Sequence, residues 1–191
     1  IAALKDLAAH PATARFIAIK LARHFISDTP SETSISRLEA SFQRSGGDLS
    51  DVMKTLVAMS EVWESPYTKV KTPYEMMVAT YRLGMGSLRG VDYNKIDRSL
   101  TLFDHRPFHA PSPAGWPDTA EDWVSPNATM NRVEWCHSVA QVVQPKYNPV
   151  DIAKAALGDA ASADTLLWIE RAPTAVEGFA LFLASPEWQR R

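Results

Sequence analysis

This sequence predicts an all-α fold, a multi-helix bundle of helical hairpins with one long proline-rich loop. Three observations carry that prediction. Helix starts and stops recur along the chain as Ser, Thr, Asp or Asn caps, first-turn prolines and terminal glycines. Alternating strand patterns bounded by hairpin turns are absent. The opening stretch, His10 to Phe25, is apolar on most of its circumference, as a helix central to a bundle would be.

The elements follow in order. Residues 1–9 read as the tail of a helix. Pro11, preceded by His10, suits a first helical position, and that helix runs to about Ile26 before Ser27-Asp-Thr-Pro30 ends it. Ser31 or Thr33 caps a helix to about Arg44, which Gly46-Gly47 stops. Asp48 caps the next, with Asp51 at the positive end of its dipole. Thr72-Pro-Tyr-Glu75 joins a capping box to a first-turn proline, and Gly84 closes that helix. Further helices are expected over 92–103, from Ser125-Pro126 to Val143, from Asn148-Pro149 to Gly158, and from Ser162 or Asp164. Thr174-Ala-Val-Glu177 forms a second capping box.

The segment from Asp104 to about Asp118 breaks this rhythm. Its four prolines rule out a continuous helix, and structureless loops of this length in compact domains are uncommon and often functional. Two hairpins, 31–63 and 162–188, each close on a Ser-then-Glu-then-Trp cluster, the pattern a duplication would leave. The bland alternative is convergence on a common helix ending. The chain is otherwise read as one helical domain over 1–191, the C-terminal part of a longer protein.

Composition narrows function by exclusion. Of the 191 residues, 46% are apolar and 22% charged, which is ordinary for a globular chain with a real core. A formal net charge of −2 gives no general attraction to nucleic acid or to anionic membrane. No apolar run approaches the ~18 residues a membrane span needs. The single cysteine, Cys136, excludes an internal disulfide and a multi-cysteine zinc site, and its helical setting suits a buried structural thiol. There is no Gly-x-Ser-x-Gly elbow and no glycine-rich phosphate loop, and the chain calls for no cofactor.

Three constellations remain as candidates. Lys20, Arg23 and His24 fall within an arc of about 100° on the opening helix, and the Lys20/His24 pair lies side by side. Such a cluster would hold an anion, although cations in a bundle are normally paired with neighbouring carboxylates or reach solvent. His105 and His109 are four residues apart, a metal-binding spacing on a helix but undefined in a proline-broken loop, so no metal site is assigned. Trp116 and Trp123 offer faces for a sugar ring or a partner's apolar surface. Alternatively, they pin the long loop to the core.

Several motifs together resemble the bacterial domain of unknown function 1800 family. They are His10-Pro-Ala-Thr-Ala-Arg-Phe with Lys20-Leu-Ala-Arg-His-Phe25, Gly46-Gly-Asp-Leu with Val52 and Ser60-Glu-Val-Trp63, and Lys71-Thr-Pro-Tyr-Glu75. Gly115-Trp-Pro117 with Trp123 and the closing Ala184-Ser-Pro-Glu-Trp-Gln189 complete the set, with Trp188 where phenylalanine is commoner. The resemblance implies an exported protein, periplasmic or at the cell surface. It also implies a partner, an exported sulfatase-like protein of the domain of unknown function 1501 family, and it supplies no catalytic residues. Two function classes follow. One is a cell-envelope binding or scaffold module that uses Trp116 and Trp123 on a partner protein or glycan, and it expects an exposed aromatic patch there. The other is a hydrolase-type enzyme acting on an anionic envelope substrate, with Lys20, Arg23 and His24 holding charge and the His105–His109 loop as lid or metal arm.

Overall fold

The computed structural model describes residues 2–64, 67–84 and 92–191. Among them are twelve α-helices and one 3-10 turn, and the only strand-like pairing is an isolated antiparallel bridge between Val70 and Arg190. By its backbone contacts the chain gathers into two compact units, Ile1–Lys69 and Val70–Arg191.

The first unit holds α1 (Ala2–Ala9), α2 (Pro11–Phe25), α3 (Glu32–Arg44), α4 (Leu49–Val57) and the short α5 (Glu61–Glu64). His10 caps α2 through Nδ1, which accepts from the Ala12 N–H, and Ser31 caps α3 by accepting from the Ser34 N–H. A Schellman ending stops α3: Gly47 N–H reaches the Phe42 carbonyl at 2.8 Å and Gly46 N–H that of Gln43 at 3.3 Å. Both glycines have positive φ, 63° and 90°, which explains their place after the helix. The expectation that α2 is central to a bundle is not met. Its fully buried residues are Ala14, Ala18 and Ala22, one small-residue stripe at helical spacing, and its main packing partner is α3. Phe16 and Phe25 stay 56% and 41% exposed on opposite sides of the helix, so an apolar circumference here marks one tight seam and leaves large side chains uncovered around it. The core of this unit is completed by Ile35, Leu38, Phe42, Val52, Leu56 and Met59.

The second unit holds α6 (Pro73–Gly84), α7 (Tyr93–Leu102), α8 (Ala120–Trp123), α9 (Pro126–Val143), α10 (Pro149–Leu157), α11 (Ala163–Glu170) and α12 (Ala175–Ala184). The capping box at α6 forms in both directions: Thr72 N–H donates to Glu75 Oε2 at 2.8 Å, and Glu75 N–H to Thr72 Oγ1 at 3.3 Å. Ser125, Asn148, Ser162 and Thr174 cap α9 to α12 as their side-chain chemistry predicts. The strongest packing pairs α9 with α12. Gly178 permits a close approach within α12: a Cβ there would lie 3.1 Å from the Ile169 carbonyl oxygen and 3.3 Å from Pro149. Phe182, Leu183, Met76 and Cys136 form the centre of this core. Cys136 is buried and unpaired, and burial pushes its thiol up to about 12. Of the two hairpins that suggested duplication, 31–63 lies in the first unit and 162–188 in the second.

Candidate functional site

The proline-rich segment contains no helix, and side chains hold it at both ends. His105 N–H donates to the Leu100 carbonyl at 2.8 Å, extending past the end of α7. Arg106 pairs with Asp97 of α7 at 2.9 Å. The indole N–H of Trp123, on α8, donates to the Pro117 carbonyl at 3.2 Å. Trp123 is therefore buried, 7% exposed, and Trp116 is half-buried. The exposed aromatic patch expected at this pair does not exist. The two indoles close on an imidazole instead.

That imidazole is His105. Its ring meets Trp116 edge-on at 5.0 Å between centroids and Trp123 at 4.9 Å. Its Nδ1 accepts from the Tyr74 N–H at 3.3 Å, at the first turn of α6. Burial lowers its basicity; Glu75 works against that, and the Arg132 charge adds to it. His105 is thus held neutral, with the Nδ1 lone pair already engaged. His109 is exposed and its Nδ1 lies 2.9 Å from the Pro107 carbonyl. Among the described residues, no three His, Cys, Asp or Glu side chains gather as a metal would require.

Beside this aromatic group lies a cleft of about 230 Å³. Trp116, Trp123, Phe103 and Pro73 give it apolar walls, and Asp104, Asp122, Asn127, Asn131 and Arg132 give it hydrogen-bonding groups. The volume is below the ~300–1,000 Å³ of drug-sized sites and suits one ring-sized polar ligand. The Trp116 indole N–H is buried and has no hydrogen-bond partner among the described residues. Trp188 has a similarly unpartnered N–H, but it lies in the core and does not line the cleft.

Arg132 is the residue that sequence reasoning missed. It is 4% exposed, and each of its nitrogens donates to a different segment. Nε reaches the Trp123 carbonyl at 3.1 Å, Nη2 the Lys71 carbonyl at 2.8 Å, and Nη1 the Gln189 amide oxygen at 2.7 Å. Among the described residues no carboxylate is ion-paired with it, and burial lowers its pKa to about 10. It acts as a fork that ties the start of α6, the end of α8 and the C-terminal segment beneath the cleft. One signal could have exposed it: Arg132 shares a helical face with Trp135, Cys136 and Ala140, a lone cation in a core-facing row.

The other predicted cluster belongs to the first unit. Lys20 and Arg23 are half-buried and His24 exposed on α2. Lys20 Nζ stands 5.8 Å from the Phe16 ring, and the His24 ring meets Phe25 edge-on at 4.6 Å. Lys20, Arg23 and His24 are thus on one unit and the His105 loop on the other.

Among the described residues, no helix is long and apolar enough to cross a membrane. No curated protein and no solved structure matches the chain. The family model described as "Protein of unknown function (DUF1800)" matches residues 1–190, and so the chain belongs to that family.

Proposed function

We propose that this domain is a binding module of the cell envelope, and that the cleft beside Trp116 seats one neutral sugar residue of a glycan. The observation that carries the reading is the buried Trp116 indole N–H, which has no acceptor among the described residues and belongs to a residue lining the cleft. A buried donor left unmade costs about 1–3 kcal/mol, so a ligand oxygen placed there would recover that loss. The other lining groups fit the same ligand. Aromatic faces favour the C–H face of a sugar ring. Asp104 and Asp122 accept from hydroxyls, and Asn127 and Asn131 both accept and donate. The two carboxylates also disfavour an acidic sugar at this position. On this reading the module works in the periplasm or at the cell surface. Its protein partner would be the exported sulfatase-like product that the family resemblance implies.

The test is titration with N-acetylglucosamine and its β-1,4-linked dimer, followed by tryptophan fluorescence and by melting temperature. Native-state binding raises the melting temperature by mass action. Trp116→Phe keeps an aromatic face but removes the N–H, and it should weaken binding about tenfold, the effect of one hydrogen bond. Absence of any saturable response, or equal binding by Trp116→Phe, rejects the reading.

A further inference from the structure

A second concavity in the Val70–Arg191 unit shares no lining residue with the Trp116 cleft. It is a groove of about 580 Å³, walled by α6, α7 and α9. This volume is within the range of small-molecule sites. Its floor and sides are apolar, from Tyr81, Trp135, Val139 and Val142. Its charged lining residues are Lys95 and Arg98 of α7. They are three residues apart and so share one face of that helix. Neither makes an ion pair among the described residues, while the nearby Asp97 is taken up by Arg106. Among the described residues, no carboxylate lines the groove.

The hydroxyls in the groove sharpen its chemistry. Thr80 Oγ1 donates to the Met76 carbonyl at 2.8 Å, and Ser138 Oγ to that of Glu134 at 2.9 Å. Ser99 Oγ donates to the Lys95 carbonyl at 2.9 Å and accepts from the Trp135 indole N–H at 3.1 Å. Each of these protons is therefore committed to the protein's own backbone, and the indole N–H to Ser99. A polar ligand body, such as a sugar or a peptide backbone, would find few donors along the walls. Among the described lining residues, the donors that remain are the two cations and the Tyr81 hydroxyl. Burial and the Asp92 charge raise the Tyr81 pKa, so the phenol keeps its proton.

We propose that this groove binds an alkyl carboxylate, its chain against Trp135, Val139 and Val142 and its head group between Lys95 and Arg98. The match is one of charge and solvation together. An apolar body needs no hydrogen bonds from the walls, and an anionic head accepts from two cations that make no ion pair among the described residues. The proposal is independent of the sugar reading, because the two cavities have no residue in common.

The experiment is calorimetric titration of the chain with sodium dodecanoate below its micelle concentration, with the Trp135 indole resonance followed in parallel. Saturable one-to-one binding that moves this resonance is expected. The double variant Lys95→Ala/Arg98→Ala, at exposed positions, should melt as the parent does and bind at least about tenfold more weakly. Val142→Asp, which places a negative charge at an exposed lining position, should also weaken binding. Dodecanol and dodecyltrimethylammonium should both bind less tightly than dodecanoate. The proposal is overturned if dodecanoate does not saturate, if the double variant binds as the parent does, or if the cationic amphiphile binds equally well.

Discussion

The hairpins at 31–63 and 162–188 share a local plan and come to different ends. Each opens on a serine that accepts a backbone N–H three residues on, at 3.1 Å for Ser31 and 3.2 Å for Ser162. In each, the second helix is capped by a short polar side chain, Asp48 or Thr174. Each then closes on serine, glutamate and tryptophan. Trp63 stands 67% exposed with its indole N–H on the Val57 carbonyl at 2.9 Å. Trp188 is 6% exposed, its ring 5.0 Å from Phe182 and 4.3 Å below the Lys71 ammonium. Local hydrogen bonding therefore sets where these helices start and stop, but not what becomes of the residues that follow. That depends on partners distant in sequence, which the second unit supplies and the first does not.

The largest test of this contrast is truncation of the two tryptophans. Trp188→Ala should destabilise its unit by about 3–5 kcal/mol, the usual cost of a large core deletion. Trp63→Ala should cost within about 1 kcal/mol, as exposed substitutions do. Urea unfolding measures both, and equal losses would erase the distinction. Next in size is Arg132→Met. It leaves the Lys71 and Trp123 carbonyls and the Gln189 amide oxygen without their donor, while relieving the burial of a charge. A net loss of about 2–3 kcal/mol is expected in the same assay. The caps should show no contrast at all: Asp48→Ala and Thr174→Ala should each cost about 1 kcal/mol, despite the different fates of their hairpins.

The smallest effect is one of pH. Lys71 is pushed down to about 8, by burial first and then by Arg191, with Glu75 opposing. Between about 8 and its ordinary 10.5, the unfolded chain holds this proton more firmly than the folded one. The Lys71 contribution to stability therefore rises with pH across that window. A Lys71→Met variant should gain stability over the parent at pH 7.5 relative to its difference at pH 10, in paired melting curves. A difference that stays constant or grows with pH would place Lys71 in a more solvated setting than its burial implies.

The same distinction explains what the sequence could reveal. Caps, first-turn prolines and the Gly46-Gly47 stop act over two to five residues, so the helix boundaries were legible from local chemistry alone. Trp116 lies in the proline-rich segment and Trp123 on α8, and the reading that they pin the loop describes Trp123, whose indole N–H donates to the Pro117 carbonyl. Their seat around His105 was not legible, because the ring's anchor is the backbone of Tyr74, far upstream. Arg132 was hidden for the same reason, since its acceptors lie at positions 71, 123 and 189. The apolar circumference of α2 misled in the opposite direction. Alanine at 14, 18 and 22 specifies a close helix seam, and the larger side chains around it do not imply burial on every side.

The bridge between Val70 and Arg190 has a consequence for the order of events during synthesis. Lys71 N–H donates to the Gln189 carbonyl at 2.8 Å, beside that bridge, and the Gln189 side chain receives Arg132. Nothing translated before residue 189 can supply these contacts. At about 5–20 residues per second, the ribosome takes about 6–24 s to add the ~120 residues between the two ends of this closure. The start of α6 waits through all of that interval for its C-terminal partner, and the Arg132 guanidinium, made 57 residues before Gln189, waits about 3–11 s. Every residue of the Ile1–Lys69 unit is by then already synthesised, whereas the Val70–Arg191 unit lacks its closing segment until the last residues are added.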